Sequence, residues 1–92
     1  MTRAQEHAEE LHQLGISRPT TGQPDDAHRA SIRTFLYRLA SDIDGEADKL
    51  GVPVTQLWKA LGDALSDLEA GAAGGSVIQK LEHYFRGLAD HR

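Results

Sequence analysis

The stretch Ile32-Arg33-Thr34-Phe35-Leu36-Tyr37-Arg38-Leu39-Ala40-Ser41-Asp42-Ile43 decides the fold. Its apolar residues Ile32, Phe35, Leu36, Leu39, Ala40 and Ile43 recur at i, i+3, i+4, i+7, i+8 and i+11. That spacing is one continuous face of a 3.6-residue period, so the segment reads as an amphipathic helix. Arg29, Arg33 and Tyr37, four apart, form a row on its polar side. Asp25 or Asp26, just after Pro24, is expected to cap its N-terminus.

Downstream, Asp44-Gly45 is a turn signal. A short helix is expected from about Glu46 to Leu50, stopping at Gly51. Pro53 suits the first turn of the next helix, where its missing N–H is not needed. Leu57, Trp58, Leu61, Ala64, Leu65 and Leu68 then continue an apolar stripe. Gly62 weakens that helix by about 1 kcal/mol relative to Ala without breaking the stripe. Gly71-Ala72-Ala73-Gly74-Gly75 reads as a flexible connector, and Ser76 as the cap of a last helix carrying Val77, Ile78, Leu81, Tyr84, Phe85 and Leu88.

Upstream, residues 2–14 form a polar helix whose stripe is thin, with Leu11 and Leu14 three apart and Ala4 and Ala8 beside them. Gly15 followed by Ile16 suits its C-terminus. So thin a stripe predicts a helix loosely docked, or one that orders only against a partner. Ser17 to Pro24, with Pro19 and Gly22, reads as a loop and hinge. No segment alternates with period two. The expected fold is all-α, a small bundle of four to five helices. Residues 1–24 are expected as an N-terminal helix with its Pro/Gly hinge, and residues 25–92 as the helical core domain.

Ninety-two residues suit one domain with a modest core, leaving little room for a deep catalytic cleft. Apolar residues make up 39% and charged residues 26%, an ordinary globular mix. With no cysteine, a disulfide scaffold, a thiolate nucleophile and a Cys-type zinc site are excluded. The start, Met1-Thr2-Arg3-Ala4-Gln5-Glu6, has no apolar run, and no stretch reaches the length of a membrane span. A cytoplasmic chain is expected. The net charge of −4 opposes nucleic acid in sum, although distribution matters more than the total. Residues 51–76 carry Lys59 against Asp63, Asp67 and Glu69.

The segment Glu46-Ala47-Asp48-Lys49-Leu50-Gly51-Val52-Pro53-Val54-Thr55-Gln56-Leu57 places Ala, then Gly four later, then a branched apolar residue, then Leu six after the Gly. This spacing resembles the helix-turn-helix of the Cro/repressor-type DNA-binding families, over residues 46–61. The physics asks for these residue types. Ala47 must be small where the second helix crosses, Gly51 turns with positive φ, and Leu50, Val52 and Leu57 fill the wedge between the helices. The resemblance implies a recognition helix beginning at Val54 that presents Thr55, Gln56 and Lys59 to a major groove. Arg29, Arg33 and Tyr37, on the preceding helix, would then serve as phosphate contacts, with Lys49 also counted among the nucleic-acid-binding residues. The same residues also suit a plain helical corner.

Two functions follow. One is a small DNA-binding regulator without catalytic activity, paired as a homodimer to gain affinity from two half-sites on double-stranded DNA. The other is an acidic helical interaction module, an adaptor or inhibitor that meets a protein partner through the N-terminal helix. No cofactor is expected. Glu9-x-x-His12 and Asp25-x-x-His28 have the spacing of metal-ligand pairs but read as solvated residues. His83 beside Glu82 has no nucleophile assembled with it. Gly71 to Gly75 lacks the Lys-Ser/Thr of a phosphate loop. Phe35, Trp58 and Phe85 read as core anchors, and Arg29 and Arg33 also suit pairing with Asp25, Asp26 or the N-terminal Glu residues.

Overall fold

A computed structural model describes residues 2–16 and 24–90. Among them are five helices and no strand: α1 (Arg3–Ile16), α2 (Pro24–Ser41), α3 (Ile43–Leu50), α4 (Val54–Glu69) and α5 (Gly74–Asp90). The chain is therefore all-α, a small helical bundle. No helix among the described residues is long and apolar enough to cross a membrane.

The apolar stripes meet as their periods require. Leu11 of α1, Ile32 and Phe35 of α2, Leu57 and Leu68 of α4, and Ile78 and Phe85 of α5 are fully buried in one core. Each such side chain stabilises the fold by about 1.5–3 kcal/mol on transfer out of water. The Phe35 and Phe85 rings pack edge to face with centroids 6.0 Å apart, an arrangement that suits their quadrupoles.

The expectation of a loosely docked α1 is corrected. Its principal neighbour is α5, and Ala4, His7, Ala8 and Leu11 are buried at 5% exposure or less. These residues stand at i, i+3, i+4 and i+7, so the stripe is complete once His7 is counted in it. Small alanines let the two helices approach closely. Gly15 takes part too, since a Cβ there would lie 3.4 Å from Ile78 Cγ2. The expected hinge at Ser17 to Pro24 lies outside the described residues apart from Pro24, which opens α2. With the helix beginning there, Asp25 and Asp26 fall inside the first turn and not at the cap.

The break after α2 comes earlier than Asp44-Gly45. It is centred on Asp42 (φ −136°, ψ 53°), and Ile43, Asp44 and Gly45 are already helical. A Cβ at Gly45 would meet only the Asp42 side chain, 2.5 Å from Oδ2, and that side chain is exposed and free to turn away. The connector before α5 is likewise shorter than its glycines suggest. The helix starts at Gly74, so Ser76 sits inside its first turn.

Candidate nucleic-acid interface

α3 ends at Gly51, whose φ of 72° lies in the left-handed region that glycine reaches without steric cost. Gly51 N–H donates to the Asp48 carbonyl at 3.1 Å and Val52 N–H to the Ala47 carbonyl at 3.0 Å. These two bonds form a Schellman closure, which pairs carbonyls the helix end would otherwise leave open. Pro53 follows in extended conformation (φ −62°, ψ 143°). It occupies the N-cap position, one residue ahead of its expected place in the first turn. Its carbonyl accepts from Gln56 and Leu57 N–H at 3.1 and 3.2 Å. Three residues thus connect α3 to α4. Ala47 is 1% exposed and Leu57 fully buried, with Leu50 and Val52 half-buried against the same core.

Along α4, Leu57, Leu61, Ala64 and Leu68 face inward. Thr55, Lys59, Gly62 and Ser66 have the same spacing on the opposite face and are exposed. Gln56 is exposed as well, so the first two turns present Thr55, Gln56 and Lys59 together. Trp58 corrects the expectation of a core anchor: it is 48% exposed and shares this outer surface. Its position explains the miss. One residue past Leu57, it sits on the edge of a stripe whose centre Leu57, Leu61, Ala64 and Leu68 already fill.

Lys49, in the last turn of α3, and Arg33, on α2, are exposed and form no ion pair among the described residues, and the same holds for Lys59. Arg29 is different and must be removed from the phosphate-contact set. Its guanidinium donates to the carbonyls of Leu68 and Ala72. There α4 ends in a second Schellman closure: Gly71 (φ 93°) donates to Leu68 O at 3.1 Å and Ala72 to Asp67 O at 2.9 Å. A cation there offsets the negative end of the helix dipole. Leu68 lies 13 residues beyond Thr55 on α4, about 20 Å along the axis at 1.5 Å per residue. Arg29 therefore anchors the far end of α4 and does not reach its first turns. Among the described residues it forms no ion pair with Asp26 or the N-terminal Glu residues, and the Asp25 side chain lies outside them.

Of the acids on α4, Asp67 accepts from Lys80 Nζ of α5 at 3.2 Å. Asp63, one turn after Lys59, is exposed and without an ion pair among the described residues.

A half-buried polar cluster that sequence reading missed ties α3 to α1. The Glu46 side chain, 8% exposed, accepts from Arg3 Nε at 3.1 Å and Arg3 Nη2 at 2.5 Å. His7 Nε2 stands 3.0 Å from Glu46 Oε2, and the imidazole lies edge-on to Phe35 with centroids 5.4 Å apart. The Arg3 guanidinium is the main cause that holds the Glu46 carboxyl down at about 2, with His7 adding to it against the cost of burial. Glu46 in turn raises Arg3 above its ordinary value. An ionised carboxylate only accepts, so His7 must carry its proton on Nε2. The clue lay in the spacing of Ala4, His7, Ala8 and Leu11, which puts an imidazole on an apolar stripe where it needs a buried partner.

On the surface, Glu82 is held below the usual carboxylate range, chiefly by Arg86 and further by His12, whose Nδ1 is 3.4 Å away. No group of three or more His, Asp or Glu among the described residues is placed to hold a metal ion. No family model, curated protein or solved structure matches this chain.

Proposed function

We propose that this chain is a small DNA-binding regulatory domain without catalytic activity, which sets the first turns of α4 into a groove of duplex DNA. The observation that carries the reading is the left-handed turn at Gly51, followed at once by exposed Thr55, Gln56 and Lys59. Thr and Gln offer donors and acceptors to base edges, and Lys59 offers a charge to phosphate. Lys49 stands just before the turn and Arg33 on α2, each unpaired among the described residues and available to phosphate. Two copies would bind two half-sites and so compensate for the small contact surface of one.

The test uses the protein's single tryptophan, which lies on the same surface. Random-sequence duplex is titrated against Trp58 emission at low and moderate salt. Binding is expected to weaken as salt rises, and Lys59→Ala to lower the salt slope by about 1. Unchanged emission together with unchanged electrophoretic mobility of the duplex at low salt sinks the reading.

A second reading is favoured by one observation: Trp58 and Tyr37 are 48% and 61% exposed on a chain of net charge −4. Exposed aromatics are frequent anchors of protein interfaces. On this reading the partner surface is α4 and not α1, whose apolar face is taken up by its own core. Mutating Trp58 to Ala would then abolish partner capture while leaving duplex binding absent throughout.

A further inference from the structure

We draw no further inference here: the strongest candidate, the surface patch around Trp58 on the outer face of α4, where exposed Lys59 is followed one turn later by exposed Asp63 and neither sign of charge prevails, carries nothing because nothing in the structure shows what covers it.

Discussion

Replacing Glu46 by Gln keeps the volume of the side chain and one carbonyl acceptor while removing its charge. The carboxyl is lowered from 4.5 to about 2 in the folded chain. At about 1.4 kcal/mol per unit, that difference is worth about 3 kcal/mol at neutral pH. The side chain of Arg3 is 36% exposed, and solvent screening there reduces the expected loss in Glu46→Gln to about 2 kcal/mol. A depressed carboxyl stabilises above its unfolded value, so the contribution is whole above pH 4.5 and lost as the pH falls through about 2. Urea unfolding followed by helical circular dichroism, run on both proteins from pH 7 to pH 2, measures the difference. It should start at about 2 kcal/mol and shrink towards zero at the acid end. Glu82, which is also lowered, contributes equally to both proteins and cancels. A difference that is constant across the range would assign the effect to packing, and one below about 0.5 kcal/mol would refute the account of the cluster altogether.

Three further outcomes are expected. Gly51→Ala forces an L side chain into φ 72° and should cost about 1–2 kcal/mol, with Gly51→Asn costing less; equal stability of the Ala variant in thermal melts would contradict the left-handed turn. Gly62→Ala, at an exposed interior position of α4 with nothing within 4 Å of the added Cβ, should gain about 0.5–1 kcal/mol. Leu11→Ala should cost about 2–5 kcal/mol because that side chain is fully buried; a loss under about 1 kcal/mol would mean that α1 is not part of the core.

Period alone was enough to read α2, α4 and α5, because Ile32, Leu57 and Val77 each begin an unbroken run of apolar positions at helical spacing. The turn at Gly51 was legible for the same local reason, since few residues but glycine close a helix that way. What escaped was non-local. The docking of α1 depends on His7 being counted as a core residue, and that makes sense only beside Glu46, 39 residues on. Arg29 looked like a surface cation until its carbonyl partners at Leu68 and Ala72 were in view. Trp58 lay one position off the stripe centre, where the choice between inside and outside depends on what the neighbouring helix leaves uncovered. At the candidate site, Thr55, Gln56 and Lys59 were located by spacing, while the pairing of Asp67 on α4 with Lys80 on α5 arises only through tertiary packing.

The guanidinium of Arg29 gives α4 a dependence that its own residues do not reveal. The tail of that helix is tied to the opening turns of α2, while its head is set by the glycine bend. Replacing Arg29 by Ala would keep the interior contacts of α2 and still release that tether. The surface α4 offers to any partner is thus aimed by a residue that never touches that partner, and losing that one guanidinium would blur recognition while leaving helix content almost intact.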